Sequence, residues 1–187
     1  MQIFRAPLAI LMAATTAALP AQSPSPTAPT ARAPVPAACQ APEVHQFDFW
    51  IGDWDAFEDD DTRTPIARTR ITAIAAGCAI HELYEQSDGL IGDSILAFDP
   101  VQRAWQQTWV TNRGSLMVVT GRLVEGALVL EGDMHAANGT SLRQRITWTK
   151  QGEAVREAAI VSRDGGKSWQ QAFDVAFRKH RGDSQPR

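Results

Sequence analysis

Glu82 is the side chain whose type and surroundings offer the most chemistry. In the extended stretch Cys78–Gln86, the residues Cys78, Ile80, Glu82 and Tyr84 alternate onto one face, so a carboxyl shares a surface with apolar groups and a phenol. On an interior face that carboxyl must be paired or held protonated, because burial without a partner disfavours the charged form. Such a group can anchor the polar end of a ligand or act as a general acid and base. Two further stretches have the same mixed character. Trp105, Gln107 and Trp109 share one face, and Gln144, Ile146 and Trp148 share another. Together Glu82, Tyr84, Trp105, Gln107, Trp109 and Trp148 are the candidate wall of a binding cavity. The period of two leaves open which face is interior, and the same residues pointing outward would be ordinary barrel surface.

Other groupings carry less. His45, His81, His135 and His180 form no close metal-binding pair, and no metal site is expected. Glu58-Asp59-Asp60-Asp61 lacks the spaced ligands and glycine of an EF-hand loop and reads as solvated turn charge. The run Ser162-Arg163-Asp164-Gly165-Gly166-Lys167-Ser168-Trp169 fits the Asp-box pattern of propeller blades. One copy does not make a propeller, so its expected role is a hairpin in which Asp164 accepts turn amides above Trp169. No nucleophile elbow, phosphate-cradling loop or dinucleotide fingerprint occurs.

These residues need a frame to hold them. With 18 Lys and Arg against 21 Asp and Glu the chain has a formal charge of −3, which excludes a strongly basic nucleic-acid footprint. Its 187 residues suit one domain with tails. Residues 1–21 read as a secretory signal peptide, with Arg5 before an apolar run from Ala6 to Leu19 that is short of the roughly 20 residues a membrane-spanning helix needs. Residues 22–38, rich in Pro, Ala, Ser and Thr, read as a disordered linker, and 181–187 as a disordered tail. Export to the periplasm or beyond follows, with no integral membrane segment left after cleavage.

Between them, residues 39–180 carry short β-rich runs separated by turn signals such as Ser87-Asp88-Gly89, Asn112-Arg113-Gly114 and Asn138-Gly139. The runs begin with Phe49–Glu58 and end with Ser168–Lys179, about ten strands in all. In the last of these, Trp169, Gln171, Phe173, Val175 and Phe177 share a face. The expected fold is all-β, an antiparallel up-and-down β-barrel, because closure removes the exposed edges of so long a meander. A two-sheet sandwich is the alternative. A barrel of this size has room for a cavity.

The stretch Phe47-Asp48-Phe49-Trp50-Ile51-Gly52-Asp53-Trp54-Asp55 resembles the opening motif of an uncharacterised bacterial family of exported, calycin-like proteins. The likeness continues at Gly77-Cys78 with Glu82, at Phe98-Asp99-Pro100, through Trp105-Gln106-Gln107-Thr108-Trp109-Val110, and on to Arg145-Ile146-Thr147-Trp148-Thr149 and Asp164-Gly165-Gly166-Lys167-Ser168-Trp169. It implies a lipocalin-like barrel and no particular activity. Gly52-Asp53-Trp54 also resembles the element that opens the first strand of lipocalin-type barrels, where a late basic residue packs over the tryptophan. That resemblance pairs Trp54 with Arg178 as structural barrel closure, with Lys179 beside it. Strict alternation pulls the other way, placing Arg178 opposite Phe173, Val175 and Phe177. The up-and-down topology brings the start of the third strand back to the start of the first, so Cys39 and Cys78 are expected to form a disulfide in an oxidising compartment. Related haem-binding barrels use one histidine as axial ligand. Even so, no cofactor is expected here. These readings converge on an exported barrel that binds a small apolar or amphipathic molecule. The rivals are an enzyme with Glu82 as acid/base and a structural or interaction module with a filled barrel. Oligomeric state has no sequence signal.

Overall fold

The computed structural model describes residues 37–58 and 63–182. The expected signal peptide, all but the end of the linker, the Asp59-Asp60-Asp61 turn and the last five residues of the tail lie outside them. Ten strands follow in order: β1 Gly52–Glu58, β2 Ala67–Ile74, β3 Ala79–Gln86, β4 Ile91–Asp99, β5 Ala104–Thr111, β6 Leu116–Val124, β7 Ala127–His135, β8 Ser141–Gln151, β9 Ala154–Ser162 and β10 Gln170–Lys179. Each pairs antiparallel with its sequence neighbours, and β1 pairs with β10 to close an up-and-down barrel rather than a sandwich. Closure satisfies the outer backbone donors and acceptors that a ten-stranded open sheet would expose.

Alternation then sorts the side chains. Ile80 and Glu82, Trp105 and Gln107, Leu128 and Leu130, and Ile146 and Trp148 are buried toward the axis. The opposite face carries ion pairs such as Asp53–Arg70 at 3.2 Å and Glu131–Arg143 at 2.6 Å, and a His81–Asp93 hydrogen bond at 3.0 Å. Pairs this exposed each contribute little to stability.

The first strand starts later than its composition suggests. Asp48–Trp50 is a 3-10 turn, the last of three before β1 among the described residues, after Ala37–Gln40 and Pro42–His45. The turn directs Phe47 and Trp50 into one end of the barrel, where both are 1% exposed. Trp50 stacks on Trp54 with ring centres 5.4 Å apart and meets Phe177 edge-on at 4.6 Å. Phe47 meets Trp105 at 6.0 Å and Trp148 at 5.6 Å. The Trp54 indole N–H donates to the Trp50 carbonyl at 2.8 Å. These rings plug the barrel floor, and the Cys39–Cys78 disulfide, with Cα atoms 4.8 Å apart, ties the plug to the start of β3.

The cation over Trp54 is Lys179, its Nζ 3.6 Å from the ring centre, and not Arg178. Arg178 lies outside, over Phe57 at 4.7 Å. Alternation from Phe173 through Phe177 is unbroken, so Lys179 inherits their inner face and Arg178 the outer one. Lys179 Nζ also donates to the Ile51 carbonyl at 3.2 Å. Gly52 beneath it has φ +146°, and a Cβ there would collide with Nζ, which explains the glycine in the opening motif.

A β-bulge between Gln171 and Phe173 shifts the register of β10 on β9. Phe173, Val175 and Phe177 keep the inner face, whereas Trp169 falls on the other side of the strand, under the Arg145 guanidinium at 4.7 Å. The five-residue face expected in the sequence is therefore split in two. In the β9–β10 hairpin, Asp164 accepts from the Ser168 hydroxyl at 2.7 Å and from the Lys167 and Ser168 amides at 3.0 and 2.9 Å. These bonds, that from the Ser168 side chain foremost, hold its carboxyl well below the usual range.

Candidate functional site

The plug fills only one end. From mid-barrel to the β3–β4 and β7–β8 hairpins runs a cavity of about 510 Å³, within the span typical of small-molecule sites. Its walls are Ile66, Leu90, Trp109, Met117, Met134 and Phe173, and its deeper surface is Glu82, Gln107, Gln144, Ile146 and Glu157. Gly92, cross-strand from Tyr84, has no side chain of its own, and any Cβ there would run into the Trp109 ring. That vacancy lets the Trp109 indole lie along the wall, edge-on to Tyr84 at 5.8 Å.

Four of the six wall candidates, Glu82, Tyr84, Gln107 and Trp109, line this cavity. Trp105 and Trp148 do not. They share the inner face but sit one step nearer the plug, 1% exposed and in contact with Phe47. The Trp105 indole N–H is taken by Gln46 Oε1 at 3.2 Å. Sequence reading missed Glu157, Met117, Met134 and Phe173 as wall residues, and it left Gln144 out of the candidate set. Glu157 was hidden because Ala154-Val155-Arg156-Glu157-Ala158-Ala159 gives both faces a charge and an alanine. The outward pairing of Arg156 with Asp174, at 2.7 and 2.5 Å, is what identifies Glu157 as inward.

Glu82 is 5% exposed, and among the described residues none that lines the cavity is basic. Ser94 Oγ donates to its Oε2 at 3.0 Å, and Gln107 Nε2 donates to Ser94 Oγ at 3.3 Å. Thr69 Oγ1 has a single hydrogen to divide between Glu82 Oε1 at 3.2 Å and the Leu83 carbonyl at 3.0 Å. A protonated Glu82 resolves that competition, donating to Thr69 while Thr69 donates to Leu83. Burial pushes the Glu82 carboxyl up to about 7, against the smaller opposing effect of its hydroxyl donors. Glu157 is raised as well, by burial first and then by the nearby charge of Glu82, with a hydrogen bond from Trp148 acting the other way. The Tyr84 phenol, which donates to Gln86 Oε1 at 3.1 Å, is also raised by burial and by the carboxylates around it.

The histidines lie elsewhere. His45, His81 and His180 pair with Asp48, Asp93 and Asp55, and none of the four lines the cavity. A second, shallower depression at the plugged end, formed by Glu43, Gln46, Phe98 and Arg103 among others, has no comparable set of buried polar groups.

No family model matches the chain. No curated protein matches it either. Among solved structures, the crystal structure of Rv2717c from M. tuberculosis superposes with a TM-score of 0.50, covering 75% of this chain and 99% of that one at 13% identity. At that identity the likeness establishes a shared barrel fold.

Proposed function

We propose that this protein is an exported carrier or receptor that holds one small amphipathic molecule in the barrel cavity. The observation that carries the reading is the division of the inner surface. One end is plugged by aromatic rings, whereas the other keeps about 510 Å³ open between apolar walls and a polar floor. A barrel built only as a scaffold would fill that space, since unfilled volume in an apolar interior costs dispersion contacts. The apolar body of the ligand would lie against Trp109, Met117, Met134 and Phe173, with its polar end toward Glu82 and Gln107. Export is supported by the signal-like first 21 residues and by the Cys39–Cys78 bond, which suits an oxidising compartment.

The test is titration with N-phenyl-1-naphthylamine, an uncharged fluorophore that brightens in apolar surroundings. Saturable one-to-one enhancement is expected, weakened about tenfold or more by Met134→Trp, which places an indole in the cavity. Absence of saturable binding, or equal binding by a folded Met134→Trp protein, would overturn the proposal. Native mass spectrometry of protein exported to a bacterial periplasm would then weigh the natural ligand directly.

The raised Glu82 carboxyl supports a second reading, an enzyme with Glu82 as acid/base, because a group titrating near neutrality suits proton transfer. Glu82→Gln separates the two, since turnover would collapse while occupancy of the cavity by the neutral fluorophore would persist.

A further inference from the structure

The polar floor has one chemical sign. Three carboxylates, Glu58, Glu82 and Glu157, face the cavity, and among the described residues no Lys, Arg or His lines it. Asp174 pairs outward with Arg156, and Glu58 sits exposed at the mouth. Glu82 and Glu157 remain at depth without a cation on the lining.

An independent feature lies beside them. Gln107 is 2% exposed, and its Oε1 is a buried side-chain atom with no hydrogen-bond partner. Its orientation follows from the chain of donors around it. Ser94 gives its one hydrogen to Glu82, so it must accept from the Gln107 amide nitrogen, which leaves the amide oxygen turned away from Ser94. A buried acceptor without a donor is costly and rare in folded proteins. The site thus holds one acceptor with no donor, Gln107 Oε1, beside two carboxyls whose donors, Ser94 and Thr69 on Glu82 and Trp148 on Glu157, leave further lone pairs free.

We propose that the ligand is an organic cation, a primary amine with an apolar body, whose ammonium group sits between Glu82, Glu157 and Gln107 Oε1. The inference rests on the cavity-binding reading above and narrows it. A primary ammonium has three N–H donors and a positive charge, matching three acceptors of which two ionise. An alcohol brings one donor and no charge. A fatty acid brings a carboxylate to a floor of carboxylates and is repelled. The rings of Trp109 and Tyr84 along the wall add the negative faces that attract a cation.

Displacement of bound N-phenyl-1-naphthylamine by three probes of equal chain length tests this: decylamine, decan-1-ol and decanoate, each below its aggregation limit. Decylamine is expected to displace the dye at about tenfold lower concentration than decan-1-ol, with decanoate weakest. Glu82→Gln and Glu157→Gln, isosteric changes at separate strands, should each lower the amine-to-alcohol preference toward one. Equal displacement by amine and alcohol, preference for decanoate, or an amine preference untouched by both substitutions would each overturn the cationic assignment while cavity binding stood. Failure of the dye itself to bind would remove the binding reading, and this inference with it.

Discussion

The two ends of the barrel are built from the same ten strands and differ in what reaches the axis. At the plugged end the inner positions are Trp54, Trp105, Trp148 and Phe177, and the N-terminal turns add Phe47 and Trp50 between them. At the open end they are Tyr84, Gln107, Trp109, Met117, Met134 and Gln144, and no described segment enters to fill the space. Stability and recognition are therefore separated along one axis. Aromatic burial at the floor provides the packing that lets carboxyls and an unpaired amide persist above it, where by themselves they would destabilise the fold.

The largest expected effect breaks the comparison at its base. Trp50→Ala should cost about 3–5 kcal/mol in urea unfolding, because a fully enclosed indole leaves a cavity the plug cannot collapse into. Trp109→Ala, on the half-open wall, should cost less than half as much and weaken dye binding instead. Equal losses from both would mean that the two ends share one packing unit. Next comes the tie between plug and barrel. Removing the Cys39–Cys78 bond, which spans 39 residues, should cost about 3–4 kcal/mol, read from unfolding midpoints of a Cys39→Ala/Cys78→Ala protein.

A smaller effect sharpens the contrast from the open end. Below about pH 4.5 both folded and unfolded chains hold the Glu82 proton, and well above about 7 both have lost it. Between those values the folded state binds it more tightly, so stability should fall as pH rises through that window, by roughly 1–3 kcal/mol. Glu157 on β9 adds to the fall in the same direction, while His81 and Asp93, flanking Glu82 from the outer faces of β3 and β4, act in opposite senses on it. Glu82→Gln should flatten the profile, and an unchanged slope would show that Glu82 is not the group responsible. The smallest effect is at the closure. Lys179→Met should cost about 0.5–1 kcal/mol and alter Trp fluorescence, whereas Arg178→Met should leave the Trp54 environment untouched.

Much of the frame was legible in the chain itself. Turn residues at Ser87-Asp88-Gly89, Asn112-Arg113-Gly114 and Asp164-Gly165-Gly166 separate runs of β-branched and aromatic residues, and ten such runs with short connections leave closure as the economical topology. The Cys39–Cys78 bond followed from that topology together with the expected export to an oxidising compartment. The conflict over Arg178 was also visible, since alternation already set it against Phe177, and the resemblance to lipocalin-type closure pointed one residue away from the lysine that occupies the place.

The sequence by itself determined which residues share a face, because a strand's period of two is local and needs no partner to define it. Only the tertiary structure decided which face is inside and how deep each inner residue lies. Trp105 and Trp109 have the same parity and opposite fates, one sealed beneath Phe47 and one on the cavity wall, because a segment about sixty residues earlier in the chain fills one end of the barrel and stops. The approach of Glu157 to Glu82 is likewise a product of closure, which brings β9 and β3 around one axis although the chain separates them by about seventy residues.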